Sequence, residues 1–200
     1  MSRATNHLLA LPALVATIMV CGVGSATAQQ TQTRSGFWAA LGLGYGANSL
    51  TCSGGCSFNS DAKGGSGTIS LKLGGTPKST LRLGGEVNLW VKDVAGVTEA
   101  VGNVSGAVYL YPTPRSGFFL KAGVGVASFE LSQGNTTTSA DGVGFIAGLG
   151  YDIRLSRKVS LTPLTNFYFG RDGDLKDGST VAIPGIQHAI IDVGLSVQYN

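Results

Sequence analysis

The stretch Leu81–Lys92, LRLGGEVNLWVK, restricts the fold more than any other part of the chain. Leu81, Leu83, Gly85, Val87, Leu89 and Val91 alternate there with Arg82, Gly84, Glu86, Asn88, Trp90 and Lys92. Successive side chains of a strand point to opposite faces, so one face is almost wholly aliphatic and the other mixes charge, amide and glycine. A helical period of 3.6 would scatter both sets over every face. The run is long for an ordinary strand of about five or six residues, and close to the roughly 9–11 tilted residues that cross a bilayer.

Seven further stretches repeat the pattern: Gly36 to Ala47, Ser66 to Gly74, Ala100 to Tyr111, Phe118 to Phe129, Gly142 to Arg154, Val159 to Gly170 and His188 to Tyr199. Pro163 interrupts the seventh of the eight, which a closed ladder tolerates best at a bulge. Short connections rich in Pro, Gly, Ser and Lys follow the even stretches, at 75–79, 112–117 and 156–158. Longer loops are expected after the odd ones, at Asn48–Gly65, Asp93–Glu99, Glu130–Asp141 and Arg171–Gln187. Short periplasmic turns with long outer loops are the habit of outer-membrane barrels.

Residues 1–28 have the composition of a cleavable signal peptide. Arg3 supplies the positive start, Leu8–Val20 the apolar run, and Ala26-Thr27-Ala28 the small-residue cleavage site. Val20 before Cys21 departs from the small residue that lipid attachment wants. Residues 29–200 then form one domain. A formal charge of +3 leaves no nucleic-acid surface, and 12% charged residues with 31 glycines suit a sheet whose lipid-facing and lumen-facing residues interleave.

The same alternation would serve a soluble carrier barrel with its apolar face inside. The polar row, however, consists of Gly, Ser, Asn and few charges, too small and too poor in Lys and Glu for a soluble exterior. Small residues suit the interior of a tight barrel. The apolar row places Phe37, Phe118, Tyr151 and Tyr199 near one rim, and Tyr45, Phe145, Phe167 and Phe169 near the other, as two aromatic girdles. The fold class is all-β: an eight-stranded antiparallel up-and-down transmembrane β-barrel in the bacterial outer membrane.

Stretches such as GFWAALGLGYG (Gly36–Gly46) and AGLGYDIRLS (Ala147–Ser156) resemble the small OmpA-type and OmpX/Ail-type barrels, filed as porin-family outer-membrane β-barrel proteins. The resemblance is architectural and covers about residues 35–200. It implies outer-membrane lipid and the barrel assembly machinery as partners. Such chains often end on an aromatic residue, whereas Tyr199 is followed here by Asn200.

The inward row collects Lys72, Arg82, Glu86, Lys92, Lys121, Asp152, Arg154, His188 and Asp192. Enclosed charges are costly unless paired, so a salt-bridged plug is expected, with Arg82, Lys72 and Lys121 as candidate partners of Glu86. A narrow channel for ions or small solutes is the alternative. A lipid-modifying enzyme is a second one, because His188 and Asp192 share a face. A lipid A deacylase barrel uses a His-Ser pair, and the residue after His188 is Ala189. No nucleophile stands beside a base, so no catalytic residue is assigned.

Cys52 and Cys56, in CSGGC, are expected to form a disulfide at the tip of the first long loop. Asp172, Asp174 and Asp177 in RDGDLKDG lack the spacing and late glutamate of an EF-hand, and a solvated loop is expected instead. No metal or cofactor is assigned. The expected protein is a non-enzymatic structural or surface-interacting barrel that meets an extracellular ligand through loops 48–65 and 171–187.

Overall fold

The computed structural model describes residues 34–53, 64–134, 136–177 and 180–200. The expected signal peptide and Cys56 lie outside the described residues.

Nine strand segments follow in order: β1 (Gly36–Cys52), β2 (Gly64–Lys78), β3 (Leu81–Val94), β4 (Val97–Leu110), β5 (Phe118–Gln133), β6 (Thr136–Tyr151), β7 (Ile153–Arg154), β8 (Val159–Asp177) and β9 (Thr180–Tyr199). Each stave is antiparallel to the next, β1 pairs with β9, and β6 pairs with β8. The sheet is thereby closed, and closure removes the exposed edges that an open sheet would present. β6 and β7 are two pieces of one stave, so the barrel has eight. The register Gly150↔Leu164 continues as Ile153↔Leu161, which sets Pro163 opposite Tyr151 where the stave breaks. The ladder lapses where proline has no N–H to give. It does so without the expected bulge, since Pro163↔Leu195 stays in register.

The alternating rows separate as expected. Leu43, Val87, Val104, Val124, Ile191 and Leu195 are exposed on the outside, while Trp38, Arg82, Glu86 and Trp90 are each about 1% exposed inside. An apolar exterior around a polar, filled interior is the arrangement of a barrel solvated by hydrocarbon. The soluble-carrier reading would need the rows reversed. Inward glycines set the interior spacing. A Cβ at Gly125 would fall 1.9 Å from the Val104 carbonyl oxygen, and one at Gly170 would fall 2.2 Å from Cε1 of His188.

Three expected loops are largely strand. Val94↔Val97 closes on Ala95 and Gly96, both left-handed at φ 55° and 79°, which is the two-residue turn matching the twist of a hairpin. Gln133↔Thr136 likewise pairs inside the expected loop Glu130–Asp141. Within Arg171–Gln187, residues 171–177 and 180–187 are the paired ends of β8 and β9, with register shifts at Arg171/Gly173, Gly173/Leu175 and Leu175/Lys176. Hydrophobic alternation marks only the part of a strand that one face commits to lipid. Beyond that part the backbone pairing persists while either face tolerates Thr, Ser or Asp.

The end bearing Gly36, Tyr199 and the connections 79–80, 111–117 and 155–158 is called the near end. The opposite end carries the long hairpins and is called the far end.

Candidate functional site

The inward charges fall into three bands. In the near-end band Asp152 is the hub. Its Oδ1 accepts from Thr162 Oγ1 at 2.9 Å, and its Oδ2 accepts from the Tyr111 hydroxyl at 3.0 Å. Arg82 Nη1 lies 3.6 Å from that Oδ2 and Arg34 Nε lies 3.8 Å from it. Arg82 Nη1 also donates to the Tyr111 oxygen at 3.0 Å, and its Nη2 donates to Asn200 Oδ1. The Arg34 guanidinium stacks on the Tyr111 ring at 3.7 Å and donates to the carbonyls of Pro114 (3.0 Å) and Ser116. Burial pulls the Arg34 pKa below its ordinary value, while Tyr111 and Asp152 act the other way. Trp38, Tyr109, Phe119 and Tyr111 pack in a chain of ring contacts at 5.0–5.8 Å beside this hub.

In the middle band Glu86 Oε1 meets Lys121 Nζ at 2.5 Å, and Oε2 accepts from the Tyr109 hydroxyl at 2.6 Å. Lys72 stands opposite Glu86 in the β2–β3 register. Asp192 accepts from Asn166 Nδ2 at 2.6 Å and Thr68 Oγ1 at 3.0 Å. Tyr168 donates to Asn88 Oδ1 at 2.9 Å. In the far band His188 Nδ1 lies 2.7 Å from Asp172 Oδ2, both wholly enclosed, and Asn48 Nδ2 donates to Glu99 Oε1 at 2.9 Å.

Seven of the nine inward charges expected from the sequence are buried: Lys72, Arg82, Glu86, Lys121, Asp152, His188 and Asp192. Lys92 and Arg154 are half-buried near the two ends. The pairing differs from expectation in one place. Arg82 serves Asp152, not Glu86, because four residues along one strand span about 13 Å. His188 pairs with Asp172. Asp172 had been assigned to a solvated loop, yet it is 0% exposed, because β8 continues past Gly170 and turns it inward. Asp174, by contrast, is exposed and accepts from the Gly185 N–H at 2.9 Å.

Sequence reasoning passed over Arg34 because it precedes the first alternating stretch. Tyr109, Tyr111 and Tyr168 had a visible signal, an inward row that carries phenols among small residues.

A small cavity lies in the far half of the lumen, lined by Thr68, Asn88, Trp90, Asn103, Tyr168 and His188. Thr68 and His188 are its nearest approach to a nucleophile and base. The Thr68 hydroxyl donates its hydrogen bond to Asp192 Oδ2 at 3.0 Å, so it is not oriented toward a base for acyl transfer. Cys52, at the end of β1, is disulfide-bonded, and its partner lies outside the described residues.

No family model and no curated protein matches the chain. Solved structures do match. Neisserial surface protein A (NspA) is 11% identical with a TM-score of 0.55, over 84% of this chain and 98% of that one. Ail, the attachment invasion locus protein of Yersinia pestis, solved in complex with the heparin analogue sucrose octasulfate, is 10% identical with a TM-score of 0.52, over 82% and 99%. At such identities the likeness is one of fold. The chain thus has the architecture of the small eight-stranded outer-membrane barrels.

Proposed function

We propose that this protein is a non-enzymatic integral barrel of the bacterial outer membrane, exported by the signal peptide at residues 1–28. In this reading its lumen is plugged, its near end faces the periplasm and its hairpins are presented outside. The observation that carries the reading is the hydrogen-bonded interior. Glu86 is held by Lys121 and Tyr109, and Asp152 by Thr162, Tyr111, Arg82 and Arg34. Ions crossing the lumen would have to break these contacts. Outer-membrane lipid is the solvent of the apolar belt, and the barrel assembly machinery is the partner that would insert it. A Cys52–Cys56 disulfide would staple the first far-end loop.

The far-end surface narrows the kind of surface partner. Asp93, Glu130, Asp141 and Asp174 are exposed there among the described residues, against exposed Arg171 and half-buried Lys92. A sulfated polyanion of the kind present in the Ail complex would be repelled. A cationic partner, or divalent ions bridging to lipid phosphates, fits better.

Fractionation with the outer membrane, a heat-modifiable band on an unboiled gel and an electrically silent planar bilayer are the expected results. Stepwise single-channel conductance would overturn the plug in favour of a narrow channel. A mass shift of lipid A on expression would overturn the non-enzymatic reading.

A further inference from the structure

We propose that the near-end rim is a docking surface for anionic phospholipid headgroups. The proposal rests on the membrane-spanning reading above and gives it a lipid preference. The three near-end connections bring Lys78, Arg115, Arg157 and Lys158 to one end, all four exposed. Neither aspartate nor glutamate occurs at 75–80, 111–117 or 154–158. The carboxylate of Asp152 is shut inside the barrel at 1% exposure, out of reach of the rim's exterior.

The position of these cations selects a membrane surface over a soluble partner. The outward apolar belt runs right down to them, ending in Phe37, Ile153, Leu155 and Tyr199, which are 39–63% exposed. Lys158 Nζ donates to the Tyr199 hydroxyl at 3.2 Å and lies 5.6 Å from its ring centroid. Its stem therefore runs along the belt and its ammonium emerges at the belt's edge, as a snorkelling lysine does. The near-end connections are short, so these charges stay close to the bilayer surface instead of reaching into the periplasm. Phosphodiester groups occupy that depth. Guanidinium groups meet phosphate oxygens with paired N–H donors, ammonium groups meet them as point charges, and juxtamembrane basic clusters draw anionic lipid. The far end, with its exposed carboxylates, would repel the same headgroups, so the attraction has a side.

The test uses the folded full-length protein in bilayer nanodiscs of phosphatidylcholine and phosphatidylglycerol in a 4:1 mixture. The lipids that stay bound on gentle release are counted by native mass spectrometry. Wild type is expected to retain phosphatidylglycerol over phosphatidylcholine by about fivefold or more, the factor expected from a single cation near an anionic surface. The preference should vanish in the variant Lys78→Gln, Arg115→Gln, Arg157→Gln, Lys158→Gln and persist in the far-end control Arg171→Gln. A wild type without preference, or a preference that survives the fourfold change, would overturn the proposal. So would loss of the preference on adding inorganic phosphate, which would make the rim a site for free phosphate. Failure of wild type to enter bilayers at all would strike the membrane-spanning reading itself, a result told apart by the missing heat-modifiable band.

Discussion

At the near end of the lumen Asp152 is held by Thr162, Tyr111, Arg82 and Arg34; at the far end Asp172 is held by His188 through one oxygen. The other oxygen of Asp172, and Nε2 of His188, are buried without a hydrogen-bond partner among the described residues. The partners differ in kind as well as number. A guanidinium offers several N–H donors on a fixed charge, whereas the far-end imidazole meets its carboxylate through one ring nitrogen. Breaking a pair at the near end or in the middle therefore strands a cation inside the barrel. Breaking the far-end pair removes the single contact between His188 Nδ1 and Asp172 Oδ2. The near-end carboxylate is held by several partners, while the far-end one is held through one oxygen.

The largest expected effect comes from Glu86→Ala. Lys121 would lose its 2.5 Å partner inside a lumen that also holds Lys72, both lysines being 4–5% exposed. Removing one member of a buried pair costs about 3–5 kcal/mol. Refolding into bilayers under urea should show that loss, and planar bilayers should stay silent. A variant that keeps its stability but begins to conduct would mean that water already reaches Lys121, and that the middle of the lumen is no more firmly plugged than the far end.

Asp172→Ala comes next and tests the other half of the comparison. It removes one hydrogen bond to a carboxylate, worth about 1.5–3 kcal/mol. The same urea titration should place its loss below that of Glu86→Ala. A loss as large as that of Glu86→Ala would show that the far-end pair is held as firmly as the mid-lumen one.

The difference between the ends also explains what was legible in the sequence. The staves, the outward belt and the inward charge row followed from strict alternation, as in Leu81–Lys92, because lipid on one side enforces period two. The same criterion goes silent where lipid ends. Thr136–Asp141 carries polar residues on both faces and pairs as strand all the same, and Ala95-Gly96 closes a hairpin where a seven-residue loop was expected. Asp172 was misplaced for that reason, since its inward direction depends on β8 continuing past the belt. Partner choice was illegible for another reason. Which carboxylate Arg82 meets depends on stagger around the closed sheet, and alternation along one strand says nothing of it. Arg34 lies outside any alternating run, so only the closed barrel shows that it reaches the Asp152 hub.

A smaller effect is expected from Tyr109→Phe. It deletes the 2.6 Å bond to Glu86 Oε2 and leaves the ring contacts with Trp38 and Phe119 in place. Glu86 keeps Lys121, so no charge is stranded, and the cost should be about 1.5 kcal/mol, the low end for a hydrogen bond to a charged group. A double-mutant cycle with Lys121→Met sharpens the result. Coupling beyond the sum of the two single losses would show that phenol and ammonium hold the carboxylate as a unit.

Arg34→Ala should matter least for stability, although Arg34 is buried and makes several contacts. Its firmest bonds go to the carbonyls of Pro114 and Ser116, in a connection at the barrel mouth where water can replace a lost donor. Its approach to Asp152 is the longest at that hub, 3.8 Å, and Asp152 would retain Thr162, Tyr111 and Arg82. The stacking on Tyr111 at 3.7 Å is the part that water does not replace, worth from about 0.5 kcal/mol for an exposed pair to about 2 kcal/mol for a desolvated one. The expected loss in bilayer refolding is therefore about 1 kcal/mol, with an unchanged gel shift. Arg34→Lys should recover little of it, because an ammonium cannot stack flat on the ring and reach both carbonyls. A loss approaching that of Glu86→Ala would mean that Asp152 depends on Arg34 for its charge balance, and that the near end is no more redundantly held than the far end.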